Sequence, residues 1–165
     1  MLKPLKNFIC DCCGGIINDP EEGYVEFYRI RNENDIYIHH EFRIVHHAPH
    51  SPNYINGGHC YTHEEKMGRG DLSLKDFINS PNRVAEILSF VDIGEIHDPM
   101  FRPYSKVADV RGFVEFVRRV AIPYYEEARL YLKQANQEGF IGDQNEISIY
   151  SESVLKSIIE NYNTD

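Results

Sequence analysis

Apolar and polar positions along this chain change period once. Between residues 23 and 47 the repeat is two. Tyr24-Val25-Glu26-Phe27-Tyr28-Arg29-Ile30 is rich in aromatic and branched side chains, and Asn32-Glu33-Asn34-Asp35 is a turn cluster. The pattern predicts a β-hairpin. On its second arm, strict alternation puts Ile36, Ile38, His40, Phe42, Ile44 and His46 on one face. Tyr37, His39, Glu41, Arg43, Val45 and His47 fall on the other. His46 therefore shares the apolar face and His47 does not. Residues 48 to 70 hold Pro52, Asn53, Asn56, Gly57, Gly58, Gly68 and Gly70, and read mostly as loop with room for one short helix.

From Asp71 onward the period is helical. Ser80-Pro81 reads as an N-cap with proline at the first helical position, and Val84, Ile87, Leu88 and Val91 follow at helical spacing before Gly94. Phe113, Phe116, Val117 and Val120 form a second stripe. Pro123 opens a third helix along Tyr124, Ala128, Tyr131, Leu132 and Ala135, ending at Gly139. Ser151 caps a fourth through Val154, Leu155, Ile158 and Ile159. The expected fold is α+β: a small hairpin unit over residues 1–70, packed on a C-terminal bundle of about four helices over residues 71–165.

Composition narrows the function. The 165 residues are 42% hydrophobic and 26% charged, as in globular proteins, so neither disorder nor a low-complexity chain fits. No apolar run approaches the roughly 18 residues of a membrane span, and Met1-Leu2-Lys3-Pro4-Leu5-Lys6 lacks an apolar signal core, so a soluble cytoplasmic protein is expected. Lys and Arg total 17 against 26 Asp and Glu, a net charge of -9, which argues against extended phosphate-backbone binding.

Cysteine and histidine carry the chemistry. Of four cysteines, Cys10, Cys12 and Cys13 crowd into four positions, where neighbours cannot form an ordinary disulfide framework, so metal is the better reading. Seven of eight histidines lie between His39 and His63. Cys10-Asp11-Cys12-Cys13-Gly14 contains a C-x2-C-G knuckle, in which Gly14 lets the backbone turn so that both sulfurs face one tetrahedral ion. Cys12 is then the extra thiol. Cys60-Tyr61-Thr62-His63 supplies C-x2-H, completing a Cys3His zinc set of Cys10, Cys13, Cys60 and His63, with His47 or His46 as the alternative fourth ligand. Tyr124-Tyr125-Glu126-Glu127 reads as half-buried packing rather than an acidic docking face.

The order C-x2-C, strand, His46-His47, Asn56, Cys60-x2-His63 resembles a treble-clef zinc finger and, more loosely, the HNH nuclease family. That resemblance implies a general-base His47 or His46, an orienting Asn56 or Asn53, and a divalent ion at the leaving phosphate oxygen. The residues themselves point to a zinc-stabilised, non-enzymatic binding or regulatory protein with a protein partner. The alternatives are an HNH-like metal-dependent nuclease and an acidic inhibitor of a basic protein.

Overall fold

The computed structural model describes residues 1–33, 37–61, 68–91, 107–142 and 144–163. It is α+β. Strands β1 (Phe8–Ile9) and β2 (Ile16–Ile17) form a two-stranded antiparallel ribbon. The second sheet runs β4 (Tyr37–His46), β3 (Gly23–Arg31), β5 (Arg69–Ser73), also antiparallel. Seven helices follow among the described residues: α1 (Leu74–Ile78), α2 (Arg83–Ser89), α3 (Val110–Ala121), α4 (Tyr125–Ala128), α5 (Leu132–Gln137), α6 (Glu146–Ile149) and α7 (Glu152–Tyr162). No helix among them is long and apolar enough to cross a membrane.

The predicted hairpin forms as β3 and β4, with its turn at residues 34–36 outside the described residues. Its alternation is broken once. The register shifts between Glu26/Arg43 and Tyr28/His40, and Glu41 takes φ 54 at that bulge. An extra residue at a bulge reverses the facing of everything before it. Hence His39, not His40, joins the face of Phe42: its ring packs edge-on against Phe27 and Phe90, centroids 4.8 and 5.3 Å apart. Beyond the bulge Phe42 stacks on Phe116 of α3 at 5.5 Å, and the order of Phe42, Ile44 and His46 holds as expected.

Strand β5 was not expected, because glycines in the 48–70 stretch read as loop. Here glycine serves close approach instead. A Cβ at Gly70 would lie 2.4 Å from Phe27 Cε2, so only a bare backbone fits under that ring. The change in composition at residue 70 thus falls inside a strand. The central strand is stitched to both neighbours by one carboxylate: Glu26, 1% exposed, pairs with Arg43 of β4 and accepts from Arg69 Nε of β5 at 2.7 Å.

Helices form at all four stripes, but α1 and α6 were not expected, Val84 and Leu88 of the α2 stripe stay 59% and 55% exposed, and two of the bounds differ. The expected helix from Pro123 to Gly139 is two short helices, because Leu130 and Tyr131 donate to the carbonyls of Glu127 and Ala128, three residues back, and tighten the chain between them. The helix expected at Ser80-Pro81 begins at Arg83, since the Ser80 hydroxyl accepts from Asn82 N–H in a turn of its own. Buried side chains gather in two clusters. The first joins Val25, Phe27 and Ile44 to Phe77, Phe90, Phe113, Phe116 and Val120, and the second joins Tyr125, Ala128 and Ala135 to Leu155, Ile158 and Ile159.

Between the two clusters lies a buried ion network. Arg119 of α3 is 4% exposed. Its Nε and Nη2 donate to Glu126 of α4 at 2.7 and 2.9 Å, Nη1 to Asp11 Oδ2 at 2.5 Å, and Nη2 also to the Ile9 carbonyl at 2.9 Å. Those partners raise its pKa despite burial. Glu126 in turn accepts the Ile9 N–H at 2.8 Å, and Glu127 accepts the Leu2 N–H at 2.6 Å. Tyr125 is interior, as the packing reading of the tyrosines expects, and Glu126 and Glu127 are interior with it, which that reading did not expect. Arg119→Met takes the closest cation from the buried Glu126, leaving it only the longer contact to Arg129, and should cost about 3–5 kcal/mol of stability in chemical denaturation. An unchanged midpoint would contradict the network.

Candidate metal centre

The site is built from three segments. In the first, the β1–β2 ribbon ends in a tight turn, with Cys10 N–H donating to Gly15 O and Gly14 N–H donating to Cys10 O, both at 2.9 Å. Gly14 adopts φ +72, the left-handed value the knuckle requires. This turn is pinned to the second segment, the end of β4. Asp11 N–H donates to Ile44 O at 2.8 Å and Ile44 N–H returns to Asp11 Oδ2 at 2.7 Å, two residues before His46. The third segment, residues 48–60, folds back on itself through single helical turns at Ala48–His50 and Tyr54–Asn56. Gly57 closes the second with φ +74 and Cys60 follows, buried.

These segments bring together Cys10, Cys13, His46 and Cys60, whose ligand atoms all lie within 4.8 Å of one another. The His46 Nδ1 atom is 3.5 Å from Cys13 Sγ and 3.7 Å from Cys60 Sγ. Cys10, His46 and Cys60 are buried, while Cys13 lies at the exposed edge. The outer contacts orient the ligands. His46 Nε2 is 3.3 Å from the Ile16 carbonyl, and since a carbonyl only accepts, Nε2 carries the proton and the Nδ1 lone pair faces the sulfurs. The Ser51 hydroxyl sits 3.3 Å from Cys60 Sγ, and Gly15 N–H donates to Cys13 Sγ at 3.4 Å. Gly15 is closely fitted: a Cβ there would lie 3.3 Å from Cys13 Sγ and 3.5 Å from His46 Cε1.

Burial pushes the Cys13 thiol up to about 11, with Cys10 and Cys60 adding to the effect against the opposing Gly15 N–H. Cys60 is also raised, chiefly by burial, against the lowering effect of Ser51. Without a cation, Cys13 and Cys60 therefore hold their protons. A bound metal ion reverses this, because coordination stabilises thiolate outright and releases the proton. The arrangement can hold a metal ion with three sulfurs and one nitrogen.

Three of the four residues expected from the spacings, Cys10, Cys13 and Cys60, meet at this cluster. The fourth place among the described residues belongs to His46, while His63 lies outside them. The alternative ligand His47 is turned elsewhere: its ring packs on Tyr24, centroids 4.5 Å apart, and lies 6.1 Å from that of His50. Cys12 is exposed and outside the cluster, and Asn53 and Asn56 sit on the exposed loop. The signal for His46 was present in the strand pattern, since a histidine sharing a face with Phe42 and Ile44 is carried inward. The chain matches no family model, no curated protein and no solved structure.

His46→Ala should strip the metal from purified protein, whereas His47→Ala should keep it, with metal content after gel filtration as the measurement. The reverse pattern would move the site away from this cluster.

Proposed function

We propose that Cys10, Cys13, His46 and Cys60 hold one zinc ion in a closed structural site, and that the protein is a zinc-stabilised, non-enzymatic binding module. The spacing of the donors carries the reading. A tetrahedral zinc ion with bonds of about 2.3 Å to sulfur and about 2.0–2.1 Å to nitrogen sets each sulfur–nitrogen edge near ~3.5 Å. Two of the three edges at His46, those to Cys13 and Cys60, measure 3.5 and 3.7 Å. Three sulfurs and one imidazole, with the Ile16 carbonyl accepting from His46 and polar neighbours at Cys13 and Cys60, suit zinc better than a hard oxygen-seeking ion.

Such a site stabilises rather than catalyses. Four protein ligands leave no position for water or substrate, and hydrolysis at a metal needs one. The HNH-like alternative also requires a free base at the ion, whereas His46 serves as ligand and the His47 ring packs on Tyr24. With a net charge of -9, the partner best matched to the surface is a protein with a basic face.

Protein purified without chelators should carry close to one zinc per chain, and stripping it should lower the melting temperature by several degrees or more. Cys60→Ser should give metal-poor, poorly soluble protein, and Cys12→Ser should behave like the unsubstituted chain. Absence of stoichiometric metal, or metal loss in Cys12→Ser alone, overturns the ligand set. No cleavage of DNA or RNA is expected with added magnesium, manganese or nickel. Nicking that disappears in His47→Ala with zinc content intact would establish the nuclease instead.

A further inference from the structure

Cys10 is held between two residues that belong, by their hydrogen bonds, to the helical half of the molecule. On its N-terminal side, the Ile9 N–H donates to Glu126 Oε1 at 2.8 Å and the Ile9 carbonyl accepts from Arg119 Nη2 at 2.9 Å. On its C-terminal side, Asp11 Oδ2 accepts from Arg119 Nη1 at 2.5 Å, and Arg129 Nη2 lies 3.7 Å from Asp11 Oδ1. The same Asp11 Oδ2 accepts the Ile44 N–H at 2.7 Å, on the strand that ends in His46. One carboxylate oxygen thus touches both the guanidinium of α3 and the strand carrying the nitrogen ligand. The knuckle's angle to β4, and with it the placing of Cys10 and Cys13 against His46, is set from α3 and α4.

We infer that Asp11 and Arg119 are positioning residues of the metal centre, through which metal occupancy is felt at α3 and α4. This rests on the metal reading above. A bound ion fixes the knuckle, which keeps Ile9 and Asp11 in place as partners for Arg119 and Glu126. Without the ion, the knuckle is free to open and those buried charges lose the partners that compensate them. Coupling of this kind is reciprocal: whatever loosens the Arg119 contacts weakens metal binding by the same factor as metal loss loosens them.

The test uses the zinc-loaded full chain and follows zinc transfer to excess chromogenic chelator at 25 °C. Asp11→Asn, which keeps shape and removes charge, and Arg119→Lys, which keeps charge and removes the fork, should each release zinc at least about tenfold faster than the unsubstituted chain. Ile158→Val, in the second cluster and away from these contacts, lowers stability without touching them and should release zinc at the unsubstituted rate. A second measurement needs no variant: hydrogen exchange at residues 119–129 should quicken when zinc is removed from the unsubstituted protein. A chain that takes up no zinc overturns both readings. A chain that holds zinc, with release unchanged in both variants, with Ile158→Val as fast as they are, or with exchange at 119–129 indifferent to zinc, overturns the coupling alone.

Discussion

A guanidinium at 4% exposure cannot be left unpaired, and much of this structure is arranged around that requirement. Arg119 takes partners from α4, from the carbonyl before Cys10 and from the carboxylate after it. No apolar substitute could do this, because the contacts are directional and reach two separate segments. The planar fork of arginine places several donors at fixed angles, where a lysine offers one compact charge. The network lies between the two hydrophobic clusters, which meet along the chain between Val120 and Tyr125. It therefore does what a continuous apolar core does in a simpler domain.

The candidate metal cluster answers the same shortage on the other side of the knuckle. Between Ala48 and Gly58 only Ser51 is buried, so this loop has almost no apolar surface with which to hold itself. Its order comes from short helical turns and from Cys60 at its end. Thiols pushed up by burial and by one another are poor company without a cation. A cation makes them the strongest contacts the loop has. The candidate ligand cluster and the Arg119 network converge on residues 9 to 13, which makes that knuckle the joint between sheet and helices.

How much of this the sequence carried depends on whether local spacing or distant packing decides. The C-x2-C-G knuckle, the hairpin, α3 and α7 were legible, because each is specified within a dozen residues. Strand β5 was not, since Gly70 is there for the Phe27 ring, more than 40 positions away, and a glycine read locally means loop. The bulge at Glu41 was also hidden, and it alone moves His39 inward. The fourth ligand shows the limit most plainly. The C-x2-H spacing favours His63 by local rule, whereas His46 reaches the cluster because β4 crosses the knuckle at Ile44. Glu126 and Glu127 looked like surface acids by type, and became interior only because Ile9, Leu2 and Arg119 come to meet them.

Those buried pairings change what the net charge of -9 means. Glu26 takes up Arg43 and Arg69, and Asp11 and Glu126 take up Arg119 and Arg129. Four arginines are thus engaged internally, in a chain with 17 basic residues against 26 acids. These pairings take up four arginines with three carboxylates, so fewer cations are left to dilute the remaining acids. A divalent ion on three thiolates leaves one further negative charge at the site instead of neutralising it. The proposed metal and the ion network therefore act in one direction: they hold the interior together while leaving the net acidic charge of the chain unneutralised, which is the ground for the basic partner proposed above.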